Sequence, residues 1–299
     1  MRVRHESPRP LDVALTLAQL HHGPGDPTVR RTPEGLWRTS LLPTGPVTQR
    51  IVQDGPCAVV VDLWGDGARE AADTLPTLLG EDDDTTGFAP PDQVRDAARR
   101  ARGMRMPRTE RVLESLVPAV LEQRVHSSTA HRAWRWLLER HGAPAPGPAP
   151  TGLRVVPAPR AWAAVPSWDW HRAGVDPRRA RTAVACARLA ARLETASALD
   201  RGEARSLLEK VAGVGPWTSA EVAQRAFGDG DAVSVGDLHL PAAVGWALTG
   251  ERTDDAGMLR LLAPYAPHRH RVVRLLSLQG HPRAPRRAPR LAVADHRAC

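Results

Sequence analysis

The chain has 299 residues, 42% apolar and 25% charged, which suits one large or two ordinary folded domains and excludes a disordered chain, a collagen-like repeat or a disulfide framework. The formal net charge of +8 points to a polyanionic partner, with a merely solvated basic surface as the alternative. No stretch of about 18 apolar residues exists to span a membrane, and the charged Met1–Pro8 start lacks the apolar core of a secretory signal, so a cytoplasmic protein near the nucleoid is expected.

The first hundred residues read as strands plus one helix. Asp12–Ala18 alternates in part, Gly35–Leu42 and Val47–Val52 have strand composition around the turn Pro43-Thr-Gly-Pro46, and Cys57–Trp64 is rich in β-branched residues. Ala68–Leu79 reads as a helix stopped by Gly80, and the acid run Glu81–Asp84 as a solvated loop. Seven acids against one arginine between Asp66 and Asp84 make this the face a polyanion avoids, whereas Arg95–Arg140 holds eleven arginines and five acids.

From Asp92 onward the pattern is helical. Ser115 is a candidate N-cap with Pro118 in the tolerated first turn, and a second helix covers Thr129–Arg140. The proline-rich Ala143–Pro150 reads as an extended linker or long loop. Asp176-Pro177 opens a helix to about Ala191, and further helices are expected near 202–211, 217–227, 238–248, 253–262 and 268–278. The chain therefore divides into an N-terminal α+β unit with an antiparallel sheet (1–91), a mostly helical unit (92–280) and a basic, disordered tail (281–299).

The sharpest motif is Leu207–Val222. Gly213 and Gly215 bracket Val214, and Pro216 opens the next helix. Such glycines let the backbone turn tightly, and their free N–H groups plus the positive end of the second helix make a phosphate seat. The bland alternative is an ordinary tight turn. Twenty residues after Trp217, Asp237 stands just before a helical stretch. It is an N-cap candidate, a role that does not exclude chemistry.

Together, Ala212-Gly-Val-Gly-Pro-Trp-Thr218, Asp231-Ala-Val-Ser-Val-Gly-Asp237, Pro267-His-Arg269 and Ala119–Val125 resemble the helix–hairpin–helix DNA glycosylase superfamily, specifically its 3-methyladenine DNA glycosylase II branch. The resemblance covers roughly Leu113–Gly280. It implies an α+β fold ending in a helix–hairpin–helix domain, duplex DNA with damaged bases as partner, and base excision repair as the process. It makes Asp237 the catalytic carboxylate. Gly213, Gly215, Thr218, Gln123, Arg124 and Arg269 become DNA-binding residues, with Gln123 beside the gap left by the flipped base. Trp217, Glu221 and Leu238 become the base pocket.

The chemistry is coherent: a fixed carboxylate stabilises the positive charge that develops on the sugar, a damaged base flips cheaply, and an aromatic wall attracts a cationic alkylated base. Lysine decides the subtype. A glycosylase-lyase needs a lysine in the second hairpin helix for a Schiff base, but the only lysine, Lys210, precedes the hairpin. A monofunctional, monomeric enzyme without lyase activity is expected. No cofactor or metal is expected either, since Cys57, Cys186 and Cys299 cannot form a four-cysteine site. Glu221 reads either as a pocket group or as a solvated helix position, with His239 and His268 as weaker candidates. The rival reading is a non-catalytic helix–hairpin–helix DNA-binding protein.

Overall fold

The structure, a computed structural model, describes residues 1–280; the basic tail expected at 281–299 lies outside the described residues. Five strands, β1 (Arg2–Glu6), β2 (Val29–Thr32), β3 (Gly35–Leu42), β4 (Gly45–Gln53) and β5 (Ala58–Trp64), form an antiparallel sheet in the order β1-β5-β4-β3-β2. Leu42 pairs with Gly45 across the two-residue turn Pro43-Thr44. The central strands are those that composition indicates. Composition does not mark the edge strands RVRHE and VRRT, because edges are charged to discourage pairing with other chains.

Val47, Ile51, Val59, Val61 and Leu63 of the sheet pack with Leu11, Val13 and Leu17 and with Leu75 and Leu79 into one core. Val13 opens a short helix, Val13–Thr16, continued by a 3-10 turn to Leu20. This corrects the strand-like alternation of Asp12–Ala18. The Asp12 carboxylate accepts the Leu15 N–H at 2.8 Å, so a side-chain cap nucleates helix where the pattern alone suggests strand. The single helix expected over Ala68–Leu79 is interrupted at Thr74, giving Ala68–Asp73 and Leu75–Leu78; Pro76 has no N–H to continue the ladder. The acid run is not wholly solvated. Asp83 is buried, pairs with buried Arg271 and accepts the Met106 N–H at 3.0 Å.

The helical part is built around Val112–Glu122, buried from Val112 to Leu121 except at Glu114, as befits a helix that is apolar all round. It packs against Ser127–His141, Pro177–Arg188 and Pro216–Ala226. Ser115 is not its cap. The Glu194 carboxylate, from a distant helix, accepts the Val112 and Leu113 N–H groups at 2.9 Å each. Pro118 lies inside the helix rather than in its first turn. Asp176 caps Pro177–Arg188 as expected, accepting from Arg178 and Arg179, while Pro159–Ala164 and Ser167–Arg172 are helices that the apolar pattern does not announce.

The proline-rich segment is a strap. Ala143–Pro144 pairs with Arg154–Val155, the Arg154 N–H donates to the Pro27 carbonyl at 2.7 Å, and Thr39 Oγ1 donates to the Arg154 carbonyl at 2.6 Å. Glu114 also ties the halves together, accepting from Ser40 Oγ at 2.7 Å and the Leu41 N–H at 2.6 Å.

Asp83 generates a stability prediction. Asp83→Ala leaves the Arg271 guanidinium buried without its counter-charge, a loss of about 3–5 kcal/mol in urea unfolding. Asp82→Ala, at an exposed neighbour, should leave the transition where it is.

Candidate active site and nucleic-acid interface

The hairpin joins helix Arg201–Glu209, capped by Asp200, to helix Pro216–Ala226. Val211 and Val214 are buried and anchor it from inside. Its two glycines differ in kind. Gly213 has φ +93°, and a Cβ there would collide with Thr182 Oγ1, so both conformation and space demand glycine. Gly215 has φ −116° and ψ −174°, and nothing lies within 4 Å of where its Cβ would be. It is open at the start of a helix, where free N–H groups favour an anion.

Gln123, the residue ending Val112–Glu122, latches this hairpin. Its amide nitrogen donates to the Gly213 carbonyl and to Thr218 Oγ1, both at 2.9 Å. Thr218 is 2% exposed, so its side chain braces the hairpin from within. Arg124 follows in the left-handed region at φ +55° and is exposed, an uncommon conformation for a side chain of this size.

Asp237 is fixed through both oxygens. Oδ1 accepts the His239 N–H at 2.7 Å and the Leu240 N–H at 2.8 Å, at the entry to helix Leu240–Thr249. Oδ2 accepts the Trp217 indole N–H at 3.1 Å. The carboxylate is half-buried and retains unused acceptor capacity. Capping and display of a negative charge coexist here, and the hairpin's second helix holds that charge in place.

The other expected pocket residues divide. Trp217 is half-buried beside Asp237. Glu221, one turn along, is neither solvated nor free: it accepts from Arg225 at 2.8 Å and from Ser234 Oγ. Ser234 also accepts the Gln224 amide at 2.9 Å, so Glu221 and Gln224 hold the segment leading to Asp237. Leu238 is 72% exposed and stands at the rim, not in a wall. His239 is exposed, and His268 is buried against Phe88.

Arg269 is held within the protein. Asp231 accepts its Nε at 2.8 Å, its outer nitrogen at 2.5 Å and its backbone N–H at 3.0 Å. A fork engaged in this way clamps helix Arg269–Leu278 to the Asp231–Asp237 segment. Burial works against ionisation of Asp231, but the Arg269 hydrogen bonds and charge together, with the charge of Arg201, outweigh it and lower the carboxyl pKa.

One cluster carries no sequence signal. Glu122 lies 3.8 Å from His22 Nδ1 and 3.7 Å from His131 Nε2. Burial opposes its charge, yet the two imidazoles hold its pKa well below the ordinary carboxylate range. The three residues come from separate elements, and no spacing announces them. Among the described residues, no group of three or more His, Cys, Asp or Glu is arranged to hold a metal ion, and no helix is long and apolar enough to cross a membrane.

No family model matches the chain. It is 30% identical over 227 residues, 73% of its length, to a probable bifunctional transcriptional activator/DNA repair enzyme AlkA of Mycobacterium tuberculosis. The match takes in 44% of that relative, so the chain spans less than half the length of the protein it matches. Its fold is similar to that of the 3-methyladenine DNA glycosylase from Archaeoglobus fulgidus, with TM-score 0.78, 18% identity and coverage of 93% of this chain and 99% of that one. It is also similar to the 8-oxoguanine glycosylase/lyase of Clostridium acetobutylicum, with TM-score 0.71, 12% identity and coverage of 93% and 95%.

The Asp231 clamp carries a pH signature. Because its folded pKa lies below the ordinary value of 3.8, its stabilisation is complete above that pH and is lost as pH falls through the folded value. In urea unfolding followed from pH 5 to pH 2.5, wild type should therefore lose more stability below about pH 4 than Asp231→Asn. Parallel curves would mean that the pair does not hold the helix.

Proposed function

We propose that this chain, which belongs to the helix–hairpin–helix DNA glycosylase superfamily and its 3-methyladenine glycosylase II-like branch, is a monofunctional DNA glycosylase that flips a damaged, alkylated purine from duplex DNA and hydrolyses its N-glycosidic bond. The observation that carries this reading is the Asp237 carboxylate, fixed by Trp217, His239 and Leu240 beside a hairpin whose Gly215 side is open.

The hairpin amides at Gly215 seat a backbone phosphate. Arg124, projecting from its left-handed position, enters the space that the flipped nucleotide leaves. Gln123 sits beside that space and sets the hairpin's position. The flipped base lies along Trp217, whose face favours a positively charged ring. As the glycosidic bond stretches, positive charge grows on the sugar, and Asp237 opposes it without rearrangement because three donors already hold the carboxylate. The base leaves with the bonding electrons, and water adds to the sugar carbon and gives up a proton to the solvent. An alkylated purine carries positive charge already and leaves as a neutral molecule, so little acid assistance is needed.

Two measurements test this. Asp237→Asn keeps an amide oxygen that can accept from His239 and Leu240, so the fold should persist. It removes the charge and turns a donor toward the Trp217 N–H. Single-turnover excision of an alkylated purine should fall roughly 10²- to 10³-fold, with duplex affinity held or improved. Unchanged excision would leave Asp237 as a cap alone and favour a non-catalytic DNA-binding protein. Borohydride should not trap the protein on abasic or lesion DNA, because the only lysine, Lys210, ends the first hairpin helix; efficient trapping would identify a lyase.

A further inference from the structure

Most buried arginines of this protein are engaged internally, which makes the exposed and unpaired ones informative. Helix Pro177–Arg188 carries a set of them. Arg178, Arg181 and Arg188 are exposed, and their spacing of three and seven residues puts them on one helix face. The carboxylate at the helix start, Asp176, pairs with the Arg179 side chain and not with these. None of the three has a side-chain partner among the described residues.

This helix is also tied to the hairpin. Thr182 Oγ1 lies against Gly213 and reaches the Ala212 carbonyl at 3.4 Å. Arg179, on the inner face, donates to the Leu121 carbonyl two residues before Gln123. The arginine row therefore begins beside the hairpin and leads away from it. From residue 178 to residue 188 it runs about 15 Å, the axial length of about four phosphates on one DNA strand.

We propose that Arg178, Arg181 and Arg188 form a second grip on the DNA backbone, continuous with the hairpin seat, that binds phosphates without reading sequence. The inference rests on the DNA-binding reading above. Arginine suits it, since each fork can bond a phosphate through two donors. The exposed side chains are free to adjust to a duplex that bends when a base is flipped. The hairpin would fix register, and the row would hold the flanking backbone.

The test is duplex affinity against salt concentration for the full chain, with the variant Arg178→Gln/Arg181→Gln/Arg188→Gln. Each lost phosphate contact lowers the slope of log affinity against log salt by about 0.9. The triple variant should therefore give a slope shallower by about two to three and affinity at 0.1 M salt lower by about tenfold or more, similarly for all sequences, with its thermal transition unchanged. Replacement of all three by lysine should restore most of the slope. Arg95→Gln/Arg99→Gln is the control, because those exposed arginines pair with Asp92 and Asp96; it should keep the wild-type slope. A triple variant with wild-type slope and affinity, beside a Gly215→Val variant that loses affinity, overturns the second grip and leaves the hairpin reading intact. An equal loss in the control overturns it too, since net charge alone would then explain the effect. Wild-type protein that binds duplex without salt dependence overturns both readings.

Discussion

The bond from the Trp217 indole to Asp237 joins the two segments on which the site depends. Besides it, the segment leading to helix Leu240–Thr249 is held to the hairpin's second helix by Ser234, bonded to Glu221 and Gln224, and by the Ala232 carbonyl, bonded to Gln224. With it, one residue ends a chain of support that starts at Gln123, passes through Gly213 and Thr218 into the second hairpin helix, and reaches the carboxylate. The site is thus an extension of the packing around Val112–Glu122. An indole N–H also suits the task, because it donates without bringing a competing positive charge beside Asp237.

Arginine serves two purposes in this chain. Arg38, Arg105, Arg179 and Arg271 are buried. Arg105 gathers the carbonyls of Arg9 and Pro10 and the Ser7 hydroxyl, and Arg225 joins Glu221 to the Gln19 carbonyl. A planar fork with five donors can satisfy several acceptors in a cramped interface, which an ammonium group does less well. Overall basicity therefore overstates the charge available to a partner. Arginines such as Arg124, Arg178 and Arg181, which are exposed, supply the part that remains.

The central strands, the helical second half, the hairpin and the cap at Asp176 are legible in the sequence because their signals are local: β-branched runs, apolar spacing, paired glycines and Asp-Pro. The losses arise where a distant group supplies what a local one is expected to supply. Glu194 caps Val112–Glu122 across some eighty residues of chain, so the local candidate Ser115 has no capping to do. In the sequence Arg269 and Glu221 look like unpaired charges until their partners Asp231 and Arg225 are seen. Composition cannot reveal whether an arginine meets a phosphate or a carboxylate, and the Glu122, His22 and His131 cluster has no periodicity at all.

The strap at Ala143–Val155 bears on the order in which the chain can fold. Thr39 waits for the Arg154 carbonyl, 115 residues later in sequence. At about 5–20 residues per second of synthesis, that partner emerges on the order of ten seconds after the strand. During this interval β2 and β3 lack the cover that the strap provides. Their edge carries Arg30 and Arg31, charges that discourage another chain from pairing there while the strap is still being made.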